Sequence, residues 1–214
     1  ACKALWEEVV ATRLDGLPLK GLVCTHFHYD HAGLARWLTD RYAIPLWMTH
    51  GEFFTMRALG ERLPEPAPEG LVLFHQRAGM PEERIARMLA GLRKDPFMPP
   101  QPESFRRLRA GDRLEIGGRR WQIVVGEGHS PEHACLYCAE DAILIAGDQL
   151  LPRITSNVLV SSMEPEGNPL QLWLDSLDRL DRLSPDTLVL PSHERVFRGL
   201  RPRVAELHAH HRHQ

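Results

Sequence analysis

The stretch Gly21-Leu22-Val23-Cys24-Thr25-His26-Phe27-His28-Tyr29-Asp30-His31-Ala32-Gly33 runs from an apolar, strand-like segment into four potential metal ligands within six positions. Imidazole nitrogen and carboxylate oxygen are the donors that a borderline cation such as Zn²⁺ prefers. In an extended loop, side chains alternate with a period of two, so His26 and His28 point the same way. Asp30 and His31 fall where the chain turns into a helix and can face a second position. One cluster therefore predicts two metal positions.

Working outward, Lys3–Leu14 has Leu5, Trp6, Val9, Val10 and Leu14 at helical spacing. After the cluster, a helix over Ala32–Tyr42 and a strand over Ile44–Met48 are expected. Such alternation argues for a layered α/β fold. From Gly51 to Ser104 the character changes, with a breaker stretch at Pro64-Glu65-Pro66-Ala67-Pro68. Pro81-Glu82-Glu83 then opens a helix whose Ile85, Met88, Leu89 and Leu92 form one apolar stripe. Residues 51–104 thus read as a helical insertion in one domain spanning 1–214, too small for a core of its own. Phe97 and Met98, flanked by prolines, read first as core packing, with a lid over the metals as the alternative.

Arg106–Val125 reads as a hairpin turning at Gly117-Gly118. Strands follow at Ala134–Cys138 and Ala142–Ala146. Asn168-Pro169 starts a helix with Leu170, Trp173, Leu174, Leu177 and Leu180 on its buried face, and a strand over Thr187–Leu190 comes after it.

Three further ligand-type residues each sit just past a predicted strand: His129, Asp148 and His193. Ligands at strand ends converge on one edge of an α/β fold. Five histidines and two aspartates suffice for two Zn²⁺ ions, each with a position open to water. Four ligands in six residues with three more at strand ends are hard to explain as packing. His50 and His75 have no such context and are left as ordinary core or surface residues.

Composition is that of an ordinary globular protein, with 43% hydrophobic and 25% charged residues. A net charge of −2 gives no global basic field for nucleic acid. Arg106, Arg107, Arg109, Arg113, Arg119 and Arg120 could form a local stripe, but with Asp112 and Glu115 nearby they read better as a solvated hairpin face. No apolar run approaches the roughly 20 residues of a membrane helix. Four sparse cysteines build no disulfide framework, and Cys135-x-x-Cys138 lacks the second pair of a zinc ribbon, so a reducing cytoplasm is expected. His208, His210, His211 and His213 read as the polar side of a helix starting near Arg201. No signal sequence is visible; residue 1 is not Met, which keeps open a start partway through a domain.

On these motifs the chain resembles the metallo-β-lactamase superfamily. The resemblance rests on His26-Phe27-His28-Tyr29-Asp30-His31 as its H-x-H-x-D-H motif, His129 in Gly128-His129-Ser130-Pro131, Asp148 in Gly147-Asp148, and His193 in Pro191-Ser192-His193. It implies an αββα sandwich with metals at one edge. It implies one metal on His26, His28 and His129 and a second on Asp30, His31 and His193, with Asp148 bridging. Such sandwiches have strands before the motif, whereas 25 residues precede it here, so N-terminal strands are expected to be missing. Ser192 and Glu194 stand where many relatives carry Gly.

The resemblance implies a hydrolase, with zinc expected and iron or manganese accommodated by the same donors. Bound water acidified toward a pKa of about 7 would supply hydroxide, which Asp30 could orient. The first expectation is a small-molecule thioester or ester, as for hydroxyacylglutathione hydrolases, since a thiolate of pKa about 8.5 leaves without a general acid. The alternatives are a metal-dependent endoribonuclease on single-stranded RNA and a non-catalytic, zinc-stabilised binding module. An amide or phosphodiester needs an acid more, and His133 or Glu132 is the nearest by sequence. For His133, a hydrogen-bonding role behind the ligands weighs more.

Overall fold

The computed structural model describes residues 1–212. Strands β1 (Leu22–Val23), β2 (Leu46–Met48) and β3 (Arg106–Arg107) form a parallel sheet in that order. Strands β4 (Arg113–Ile116), β5 (Arg119–Gly126), β6 (His133–Cys138), β7 (Ile143–Gly147) and β8 (Leu188–Pro191) form a second sheet. It is antiparallel up to β7, and β8 joins parallel to β7.

Period-two alternation sorts the apolar side chains into layers. Ile123, Ala134 and Leu136 of the larger sheet meet Val23 and Trp47 of the smaller one, with Leu108 buried among them. The intervening residues Cys135, Tyr137, Leu144, Ala146 and Val189 face the opposite way. They pack on α7 (Pro169–Asp181) and α8 (Leu200–Arg212) through Trp173, Leu177, Leu180, Val204 and Leu207. On the far face of the small sheet, Cys24, Leu46 and Met48 pack on Ala32 of α2 (Tyr29–Ala32), Ala35 of α3 (Ala35–Tyr42), and Phe53 and Met56 of α4 (His50–Leu59). The order is helix, sheet, sheet, helix. Both sheets are thus covered on both faces, as a layered fold requires.

Several sequence expectations need correction. The single helix expected over Ala32–Tyr42 is two. α2 already begins at Tyr29, and the Gly33 N–H donates to the Tyr29 carbonyl at 2.8 Å, so Asp30 and His31 stand within a helical turn. Arg106 and Arg107 are not part of the hairpin: Trp47 pairs with Arg106 in parallel register, and the hairpin is β4–β5 alone. Leu108 explains this, because it is buried between the sheets and its N–H continues the ladder to the Met48 carbonyl at 2.9 Å.

Within 51–104, α4 belongs to the main core through Phe53 and Met56; α5 (Glu69–Arg77) and α6 (Glu82–Lys94) lie outside it, joined to each other. Met98 is buried with Leu46 and Met48, as the core-packing reading expects. An apolar residue between prolines has no periodicity to reveal which surface it covers.

The remaining elements are as expected in kind. Asn168 caps α7, its Oδ1 accepting from the Gln171 N–H at 3.1 Å. α1 (Cys2–Arg13) forms but buries none of its residues. In α8, His208 Nε2 lies 2.8 Å from Asp178 Oδ1 and His211 packs edge-on against Trp173, while His213 lies outside the described residues. All four cysteines are free, and burial pushes the Cys24 and Cys135 thiols up to about 12. Among the described residues no helix is long and apolar enough to cross a membrane.

Candidate metal centre

One edge of the sandwich gathers the chain's ligand-type residues. The turn after β1 carries His26 and His28, and α2 carries Asp30 and His31. His129 lies between β5 and β6, Asp148 follows β7, and His193 follows β8. Donor atoms fall into two groups, each within 4.8 Å: His26, His28, His129 and Asp148, then Asp30, His31 and His193.

Asp148 joins the groups. Its Oδ2 is 3.8 Å from His26 Nε2, 3.5 Å from His129 Nε2, 3.5 Å from His31 Nε2 and 3.4 Å from His193 Nε2. Asp30 Oδ2 lies 3.3 Å from His31 Nε2 and 3.5 Å from His193 Nε2. His26, His129 and Asp148 are buried, whereas Asp30 and His193 are exposed. The second position is therefore the one open to solvent.

The donor atoms here have the chemistry to hold a cation. The His129 Nδ1 lies 2.8 Å from the Asn157 carbonyl, which can only accept, so that nitrogen carries the proton and Nε2 presents a bare lone pair. That Nε2 is 3.2 Å from His26 Nε2. Asp148 Oδ1 and His31 Nε2 are buried without a hydrogen bond. Unpaired buried polar atoms are costly, and a pair of divalent cations would satisfy them. The nitrogen and oxygen donor set fits zinc, iron or manganese.

Charge states agree. Burial holds the pKa of His26 far below the usual imidazole range, with the charges of His133, His31 and His129 adding to it. Burial also lowers His28 to about 4, and lowers His129 against the Asn157 hydrogen bond that favours its charged form. For Asp148, burial works to raise the pKa, but His31, His129 and His193 outweigh it and hold the carboxyl at about 2. At neutral pH His26, His28 and His129 are neutral imidazoles beside the Asp148 carboxylate, the ligating forms.

The structure places His133 behind the ligands. The ring is fully buried, its Nε2 accepts the Asp148 N–H at 3.1 Å, and it stacks on His26 at 4.8 Å. Burial lowers its pKa to about 3. Gly147 permits this approach: its φ is +52°, and a Cβ there would lie 2.5 Å from the His133 ring. His133 holds the Asp148 backbone. Glu132 is likewise engaged, its Oε2 accepting the Gly51 N–H at 2.7 Å.

Glu52, on the first turn of α4, is a residue that sequence reasoning missed. It is completely buried. Its Oε2 accepts the N–H of Phe27, between His26 and His28, at 2.8 Å. Its Oε1 accepts the Ser130 hydroxyl at 2.6 Å and the Glu132 N–H at 2.8 Å, next to His129. One carboxylate thus clamps both loops of the first metal position. Burial pushes its pKa up to about 7, against those hydrogen bonds. The available signal was spacing, since Glu52 stands four residues before the core residue Met56 and so shares its buried helix face.

Three of the six arginines of the stripe have side-chain partners. Arg119 bonds Asp141, Arg120 Nη2 lies 2.6 Å from Glu140 Oε1, and Arg106 lies over Trp47 at 5.2 Å. The acids are those of the β6–β7 turn, supplied by pairing across the sheet.

Back-to-back sheets covered by helices, with a histidine–aspartate cluster at one edge, define a metal-dependent hydrolase fold. The chain matches the family model of the metallo-beta-lactamase superfamily over residues 3–193, and it belongs to that superfamily. A solved beta-lactamase domain protein from Burkholderia ambifaria is 42% identical with a TM-score of 0.86, covering 99% of this chain and 60% of its own. The probable metallo-hydrolase YqjP of Bacillus subtilis is 25% identical over 90% of this chain and 60% of its own length. The hydroxyacylglutathione hydrolase GloC of Haemophilus influenzae is 28% identical over 72% of this chain and 65% of its length. The chain thus spans about three-fifths of the length of the first two and about two-thirds of GloC.

Proposed function

We propose that this chain hydrolyses a small thioester or ester with two divalent metal ions, zinc foremost, held by His26, His28, His129, Asp148, Asp30, His31 and His193. The observation that carries this is Asp148 Oδ2, within 3.8 Å of four imidazole nitrogens drawn from both ligand groups. When bound, such ions supply Lewis acidity toward a carbonyl and a water acidified toward a pKa of about 7.

The chain's own residues do the rest. His133 and Glu52 hold the ligand loops, and the exposed Asp30 carboxylate can orient an attacking water and take up its proton. Neither residue first considered as a general acid reaches the open face: His133 is buried behind the ligands, and Glu132 is bound to Gly51. That favours a leaving group that departs without protonation, and a thiolate of pKa about 8.5 does so. Similarity to hydroxyacylglutathione hydrolases points the same way. The arginines of the β4–β5 hairpin that pair with acids leave less to hold a phosphate backbone.

The test is metal analysis of protein purified without added metal, followed by turnover of thioester, ester and single-stranded RNA panels. About two metal ions per chain and thioester hydrolysis are expected. A reproducible count near one, or cleavage of RNA alone, would sink the proposal.

A further inference from the structure

A groove of about 410 Å³ opens beside the first metal position, and two of its walls are the ligands His28 and His129. That volume is within the range of small-molecule sites. The segment between β7 and α7 and α7 itself supply its apolar residues Leu159, Val160, Met163 and Leu172, and the ligand loops and Thr55 complete it. Leu159 is 69% exposed and Met163 57% exposed, so four apolar side chains ring a depression that begins at the metal ligands. The two charged residues that line it are both acids, Glu127 and Glu164, and no lysine or arginine is among the described residues lining it. Glu127 is already answered by Arg179 Nη2 at 3.1 Å.

We infer that this groove is the acyl subsite and takes an uncharged, apolar acyl chain of medium length. The inference rests on the hydrolase proposal above and names its substrate class. A carbonyl placed at the first metal position would have His28 and His129 on one side, so its acyl substituent continues between Leu159, Met163 and Leu172. With Glu127 paired to Arg179 and Glu164 the remaining lining charge, an acyl group that carries a carboxylate or phosphate is disfavoured, because its charge would meet an acid and no lining cation. The residues that choose the acyl group therefore lie in the segment around 157–172, with Thr55 the one lining residue supplied from 51–104.

The experiment measures kcat/KM for acetyl, butyryl, hexanoyl and octanoyl esters and thioesters of one common leaving group, on the metal-loaded full chain. Burial of each methylene predicts a rise of roughly two- to fourfold until the groove is filled. Leu159→Asp and Leu172→Asn should each cut the octanoyl-to-acetyl ratio by about tenfold. Ile116→Asn, at an exposed position on β4 outside the groove, should leave that ratio unchanged. In parallel, octanamide titrated into metal-free and metal-loaded protein should shift the Met163 methyl resonance in both, and acetamide should not. Hydrolysis of all four acyl groups at one rate would overturn the acyl subsite while leaving the hydrolase proposal standing. Absence of turnover at every length would overturn the hydrolase proposal, and the methyl shift would then decide the groove by itself. No shift with octanamide overturns it.

Discussion

Replacing Glu52 with Gln separates the clamp's effect on the metals from its effect on the fold. The amide keeps one carbonyl oxygen, which can still accept from the Ser130 hydroxyl and the Glu132 N–H. Its NH₂ then meets the Phe27 N–H, donor against donor, at a cost of about 1–3 kcal/mol. Against this, the wild-type carboxyl has a folded pKa of about 7 above its ordinary 4.5. A raised carboxyl pKa means that the neutral form's contribution is whole below about pH 4.5 and lost as pH rises through 7. At pH 8 the buried charge costs about 3 kcal/mol, which Gln does not bear. The two effects nearly cancel at pH 8, so metal-free E52Q should unfold in urea within about 2 kcal/mol of wild type there, and compare less favourably at pH 5.5. Zinc affinity should nonetheless fall about 10- to 100-fold, because the backbone between His26 and His28 has lost its anchor. Chelator competition measures that affinity. Unchanged zinc affinity together with a loss of several kcal/mol in urea would refute the clamp and leave Glu52 a purely structural group.

Asp148→Asn should move metal content from about two ions toward about one and lower hydrolysis by roughly a hundredfold or more, read by elemental analysis and kcat/KM; two ions retained at full activity would deny the bridging role. Gly147→Ala places a Cβ against the His133 ring at a φ of +52° and should destabilise by about 2–4 kcal/mol in urea unfolding, with a change under about 0.5 kcal/mol refuting it. In metal-free protein, stability should fall as pH drops below about 6.5, because His26, His28, His129 and His133, all lowered when folded, bind protons first in the unfolded chain and together outweigh the opposite trend of Glu52. The slope is at most about 1.4 kcal/mol per pH unit for buried His133 and less for half-buried His28. A flat profile between pH 6.5 and 4.5 would contradict it.

The candidate centre was legible because its chemistry is written locally. Four ligands in six residues and three more at strand ends need only the period of a strand and the polarity of a turn to be seen. The sandwich layers came with the family resemblance, and the structure bears them out in Cys135, Leu136 and Tyr137, which alternate between the two cores. What escaped were groups whose partners lie far along the chain. Glu52 meets Phe27 across 25 positions and Ser130 across 78, and nothing near it in sequence marks an acid that will be buried. For His133 the sequence left an acid and a hydrogen-bonding role side by side with the second weighing more, and strand β6 carries it behind the ligands, where its Nε2 accepts the Asp148 N–H. Leu108 pulled Arg106 and Arg107 out of the hairpin and into the smaller sheet by filling the space between the two.

The sequence by itself determined the donor set and the alternation of elements, because ligand identity and periodicity are properties of neighbouring residues. Tertiary structure alone decided that Asp148 Oδ2 stands within 3.8 Å of histidines from both groups, that Glu52 braces the loops, and that the apolar groove ends at His28 and His129. Those are distances between segments 25 to more than 100 residues apart. They are set by how two sheets and their helices pack, which no local pattern encodes.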